Sequence, residues 1–220
     1  RDIAAEVAKA IQAGELPIIL CGSCTVAALG AIGGLHARDA RDPARTGVAW
    51  FDAHADLNTP ETTESGLLEG MALSAIAGRA YRGMAARAVG LKPIDLTQTV
   101  MVGVRAMDDV ERPEFERRDI AKAATADDVA DALSGTDETY LHLDMDVHDP
   151  VQLAANGYPA PGGPSPSHVR ALLGAVPRVA AMSVTGLDPA VAPKEAAVDI
   201  AIGHIQHVAR LYAQQESARP

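Results

Sequence analysis

Two stretches decide the fold: Gly47-Val48-Ala49-Trp50-Phe51-Asp52-Ala53-His54-Ala55-Asp56 and Thr139-Tyr140-Leu141-His142-Leu143-Asp144-Met145-Asp146. Each is a short, mostly apolar run that stops abruptly at an aspartate. Such runs, about 4–8 residues long, read as strands buried on both faces, the kind a parallel sheet is made of. Working outward, Leu16–Leu20, Thr99–Val104 and Arg178–Val184 read the same way. Helical spacing falls between them. Ile3, Val7 and Ile11 share one face, and helices are expected over Thr25–Leu35 (closed by Gly33-Gly34), Gly70–Gly78, Asp109–Arg118, Asp127–Leu133, Ser167–Leu173 and Pro193–Tyr212. Val151–Pro166, with four prolines and three glycines, is a long loop. Strand and helix in alternation predict an α/β fold of three layers, α/β/α, around a mostly parallel central sheet.

The composition narrows the function. The chain has 220 residues and a net charge of −10, with 48% apolar and 22% charged residues. That length suits one domain, and that balance suits a packed core. An acidic surface repels phosphate, so neither nucleic acid nor an anionic membrane is an expected partner. No apolar run approaches the roughly 18 residues of a membrane span, and the first residues lack a secretory pattern. Two cysteines make no disulfide scaffold. A cytoplasmic protein is expected.

In a parallel α/β sheet, ligands bind beyond the carboxyl ends of the strands, and three strands here end in metal-ligand residue types. Residues two apart in extended chain point the same way, so Asp52, His54 and Asp56 can converge, as can Asp144 and Asp146 on another strand. Packed together without a cation, so many carboxylates repel one another. Four carboxylates and an imidazole suit Mn²⁺ or a similar divalent ion. The third strand end, Cys21-Gly22-Ser23-Cys24, forms a C-x-x-C that by itself reads as a thiol–disulfide motif. His142 precedes Asp144 by two but sits inside an apolar strand, and reads as a hydrogen-bonded core residue. Trp50 also reads as core, His148 as a neighbour of the site, and His36, His168, His204 and His207 as surface or helix residues.

Asp52-Ala53-His54-Ala55-Asp56 resembles the DAHxD motif of the arginase/agmatinase (ureohydrolase) family, and Asp144-Met145-Asp146-Val147-His148-Asp149-Pro150 its DxDxxDP motif. The resemblance extends over essentially the whole chain. It implies a binuclear Mn²⁺ centre at the top of the sheet, where a hydroxide held between the ions attacks a guanidinium carbon and urea leaves with an amine. Asp52, His54, Asp144 and Asp146 match the ligands of one ion, and Asp52, Asp56 and Asp144 those of the other. Asn58, Thr63 and Ser65 match contacts to an amino-acid carboxylate, and Asp108 the contact to its α-amino group. The implied substrate is a small guanidino amino acid, and the implied assembly a homo-oligomer, a trimer or hexamer. The family begins with a further strand and helix, so the N-terminal part of the fold is expected to precede Arg1.

Three positions depart from the family pattern. Cys24 stands where the second ion has its histidine ligand, in the place of GGDHS. Glu69 stands where arginases carry a proton-shuttling histidine. Gly186 stands where a glutamate grips the guanidinium, and Glu69 or Asp188 can supply that charge instead. A thiolate is a soft ligand, which shifts such a site toward Zn²⁺ or Fe²⁺ or leaves a single ion. The Nω-hydroxy-L-arginine amidinohydrolases are similar in accepting Cys at this position. Two further readings stay open: a catalytically impaired relative acting as a metal-binding or regulatory subunit, and redox control through Cys21 and Cys24.

Overall fold

A computed structural model describes residues 1–38, 43–192 and 194–217. Six strands form one sheet: β1 (Ile18–Leu20), β2 (Thr46–Phe51), β3 (Thr99–Val102), β4 (Ala121–Ala123), β5 (Glu138–Asp144) and β6 (Val179–Thr185). Every pairing is parallel, in the order β1-β6-β5-β2-β3-β4. The helices are α1 (Asp2–Gln12), α2 (Cys24–Arg38), α3 (Ala72–Ile76), α4 (Arg82–Val89), α5 (Arg112–Arg117), α6 (Ala126–Ala132), α7 (Pro166–Leu173) and α8 (Lys194–Ser217).

Strand alternation splits the core in two. Ala49, Phe51, Leu141, Leu143 and Val184 face α6, α7 and α8 through Val129, Leu133, Val169, Leu172 and Ala201. Val48, Trp50, Tyr140 and Ala181 face the other way, onto Val7 of α1, Ala28 and Ile32 of α2, and Leu73 and Ile76 of α3. The three-layer α/β/α architecture follows from the parity of each strand. Trp50 is fully buried, as core.

The differences from the sequence reading have local causes. Gly33 and Gly34 do not close α2, which runs on to Arg38. A Cβ on Gly34 would lie 2.5 Å from Val7 Cβ, and one on Gly33 2.6 Å from Val89 Cβ, so the pair lets α1 and α4 pack against α2. Strand β1 is shorter than Leu16–Leu20, and β3 ends at Val102, before the turn at Gly103. The helix expected from Asp109 starts at Arg112 because the preceding turn folds Glu111 inward. Helix α4 and strand β4 are additions. Pro193, expected in the first turn of α8, lies outside the described residues.

Candidate metal centre and substrate cleft

β2 and β5 are lateral neighbours, with Phe51 beside Leu143. The next residue on each, Asp52 and Asp144, therefore emerges side by side at the carboxyl edge. Tight turns follow. Asp52 Oδ1 accepts from His54 N (2.7 Å) and Asp144 Oδ1 from Asp146 N (2.9 Å), each closing its own turn, and Asp146 Oδ1 accepts from Ala53 N (3.1 Å), tying the second motif to the first. His54 Nδ1 lies 3.4 Å from Asp52 Oδ1 and 3.2 Å from Asp146 Oδ2. Cys24, first residue of α2, directs its thiol to Asp144 Oδ2 (3.1 Å) and Thr185 Oγ1 (3.3 Å). Asp52, His54 and Asp146 offer donor atoms within 4.8 Å of one another, and so do Cys24, Asp52, His142 and Asp144.

The electrostatics suit the binding of a cation. Burial, then repulsion from Asp146 and Asp144, lifts the Asp52 carboxyl well above the usual range. Burial and Asp52 do the same to Asp56. Burial and Asp146 push Asp144 up to about 7, and burial with the Asp144 charge raises the Cys24 thiol. His54 absorbs part of the repulsion: hydrogen bonds to Asp146 and Asp52 raise it to about 11. Asp146 falls to about 2, because His54 outweighs its burial. Asp56, 5% exposed and in the left-handed region at φ 52°, has a buried Oδ2 with no hydrogen-bond partner among the described residues. An orphaned carboxylate oxygen on one of three raised carboxyls, Asp52, Asp56 and Asp144, is a donor set that a divalent ion would satisfy.

These side chains form the floor of a cleft of about 1150 Å³. Asn58, Ser65, Glu69, Asp108 and Asp188 line it, whereas Thr63 is not among its lining residues and meets Ser65 at 3.4 Å instead. Asn58 Nδ2 donates to Asp108 Oδ2 (2.9 Å), joining two of the expected substrate contacts. Gly186, at φ +68°, lies so near Asp144 that a Cβ there would meet its Oδ1 at 1.8 Å.

Four residues gain roles that the sequence reading did not give them. Glu111, buried, accepts from Leu57 N (2.7 Å) and Asp108 N (2.9 Å), and so fixes the segments carrying Asn58 and Asp108. Asn156, from the long loop, bridges Asp146 Oδ2 (3.1 Å) and Gly186 O (3.2 Å). Arg105 donates to the carbonyls of Gly103, Asp146, Val147, His148 and Ala160 at 2.8–3.1 Å, tying the second motif to β3 and the long loop. His142 is hydrogen-bonded core, as expected, yet also edges the cluster; burial holds it down to about 3. His148 does not border the cleft. It is fully buried, and its Nε2 lies 3.1 Å from that of His204, which is also fully buried on α8. His36 is likewise buried on α2.

A parallel α/β sheet with an aspartate-rich, metal-competent cluster at its carboxyl edge defines the class of protein. Comparison with known proteins gives the family. The Arginase family profile matches residues 1–209. The chain is 33% identical to the arginase of Bacillus caldovelox over 175 residues, which is 73% of this chain and 56% of that protein. It is 33% identical, again over 175 residues, to an N(omega)-hydroxy-L-arginine amidinohydrolase of Streptomyces lavendulae, covering 77% of this chain and 59% of the other. A crystal structure of arginase from Bacillus cereus superposes with a TM-score of 0.84 at 25% identity, over 94% of this chain and 76% of that one. The chain belongs to the arginase family. It spans somewhat more than half the length of these curated relatives.

Proposed function

We propose that this chain is a metal-dependent hydrolase that cleaves a guanidino C–N bond of arginine or an arginine-like amino acid such as Nω-hydroxyarginine. Urea or hydroxyurea leaves with an amine. The observation that carries this reading is two donor groups that share Asp52, one with His54 and Asp146 and one with Cys24, His142 and Asp144, beneath a cleft lined by Asn58, Ser65 and Asp108. Asp52, His54, Asp56, Asp144, Asp146 and Cys24 would hold one or two divalent ions, with Mn²⁺ the family expectation. Such ions, when bound, make a water nucleophilic near neutral pH by lowering its pKa from about 16 toward 7.

The chain's own groups do the rest. Asn58 and Ser65, with Thr63 behind, hold the substrate carboxylate, and Asp108 holds its ammonium. Two anchors fix the guanidino end over the carboxylate floor, where proximity supplies much of the rate. One water is consumed: a C–O bond forms, the C–N bond breaks, and the departing amine takes a proton. Glu69, half-buried and lining the cleft, would carry that proton. Gly186 contributes no carboxylate, so the guanidino group is gripped less strongly. A hydroxyguanidine, being less basic, tolerates that better. A single domain, assembled as a trimer or hexamer in the cytoplasm, completes the proposal.

The three departures at Cys24, Glu69 and Gly186 support one rival, a metal-binding or regulatory subunit without turnover. The whole chain, loaded separately with Mn²⁺, Zn²⁺ and Fe²⁺, is assayed with arginine, Nω-hydroxyarginine and agmatine for urea and hydroxyurea. Turnover of either amino acid, with agmatine inert, supports the hydrolase. Bound metal with no turnover of any of the three leaves the rival.

A further inference from the structure

We propose that His142 is itself a metal ligand, its Nε2 completing a four-donor site with Cys24 Sγ and the carboxylates of Asp52 and Asp144. The inference rests on the metal-dependent reading above. One donor atom from each of the four lies within 4.8 Å of the other three, and all four residues are buried. Sheet register produces the arrangement. His142 on β5 is flanked by Trp50 on β2 and Ser183 on β6. Two residues further along, on the same face of each strand, come Asp52, Asp144 and Thr185. The imidazole therefore sits one pleat beneath the carboxylates, as the floor of their cluster.

The ring is held the way a ligand is held. Trp50 stacks on it at 3.7 Å and 14°. Nδ1 lies 2.9 Å from Ser183 Oγ, whose hydroxyl also meets Tyr140 Oη at 2.7 Å. We assign the ring proton to Nδ1, where it donates to Ser183; the Nε2 lone pair then faces Asp52 Oδ2 (3.9 Å) and Thr185 Oγ1 (3.4 Å). Fixing one nitrogen by a hydrogen bond so that the other can coordinate is the usual support of a metal-bound histidine. Cys24, at the start of α2, stands where the family resemblance expects an imidazole, and His142 supplies one from β5. The resulting set of one sulfur, one nitrogen and two carboxylates selects Zn²⁺, Fe²⁺ or Co²⁺ over Mn²⁺.

The test titrates Zn²⁺ and Co²⁺ into the metal-free chain. In the wild type, Zn²⁺ is expected to shift the ring-nitrogen resonances of His142 and to change the emission of Trp50, the sole tryptophan. The Co²⁺ complex should show thiolate charge-transfer absorption. His142→Gln and Cys24→Ser should each weaken Zn²⁺ at this site by at least about 100-fold, the upper end of what losing an outer-shell partner costs. Should His142→Gln fail to fold, the wild-type ring spectra decide. If Zn²⁺ binds and Cys24→Ser weakens it while the His142 resonances stay put, His142 only packs, and the metal-dependent reading survives. If the wild type binds no divalent ion, both fall.

Discussion

Gly186→Ala offers a severe test of how the floor of the cleft is built. The new Cβ would meet Asp144 Oδ1 at 1.8 Å, and real Cβ contacts essentially never fall under 3.0 Å, so the carboxylate must retreat by about 1.2 Å. Metal–ligand distances tolerate roughly 0.2 Å, so Asp144 is carried out of coordination. Stability suffers as well. A left-handed φ costs a non-glycine residue about 1–2 kcal/mol. The displaced carboxylate also loses bonds from Asp146 N, Thr185 Oγ1 and Cys24 Sγ, each contributing about 0.5–1.5 kcal/mol. Together these give a loss of about 2.5–6.5 kcal/mol. Urea denaturation of the metal-free protein measures the stability, and competition with a chromophoric chelator measures the affinity for Zn²⁺ and Mn²⁺. Destabilisation below about 1 kcal/mol with metal affinity unchanged refutes the close packing of Gly186 on Asp144.

Three further outcomes are expected. Metal binding should release protons near pH 6, because ligation needs neutral His54 and ionised Asp144, whose metal-free values are about 11 and about 7. Affinity therefore rises with pH, and Asp144 alone makes it about 100-fold weaker at pH 5 than above pH 7; calorimetry in buffers of different ionisation enthalpy counts the protons, and a pH-independent affinity contradicts this. Arg105→Met should cost about 3 kcal/mol or more in thermal or chemical unfolding, since it strips donors from five carbonyls, those of Asp146 and His148 among them; a change under 1 kcal/mol removes its proposed role. Glu111→Ala should raise KM for the amino-acid substrate at least about tenfold with less effect on metal content, because Leu57 N and Asp108 N lose their acceptor; an unchanged KM would show that Asp108 needs no such support.

Much of this was legible because strands alternate with period two. Asp52 with His54 and Asp144 with Asp146 declare themselves as convergent ligands, and the apolar runs before them declare the parallel sheet. What stayed hidden depends on lateral neighbours that no spacing reveals. His142 reads as core because it sits inside an apolar strand, and its neighbours Trp50, Ser183 and Cys24 come to it from β2, β6 and α2. Arg105 needs Ala160, far along the chain, to show its purpose. Glu111 lies inside the stretch Asp109–Arg118 that reads as one charged helix, and only the turn before α5 buries it. Gly33-Gly34 reads as a helix stop until Val7 and Val89 press against it. Strand β4, three residues at the sheet edge, is too short for a periodic signal.

Anomalous diffraction from a crystal soaked with Mn²⁺ puts the account to its plainest trial. A peak is expected within about 2.0–2.3 Å of oxygens from Asp52, Asp144 and Asp146 and of the His54 Nδ1. A fully soaked crystal with no peak there, and with those four side chains turned away from one another, would contradict it.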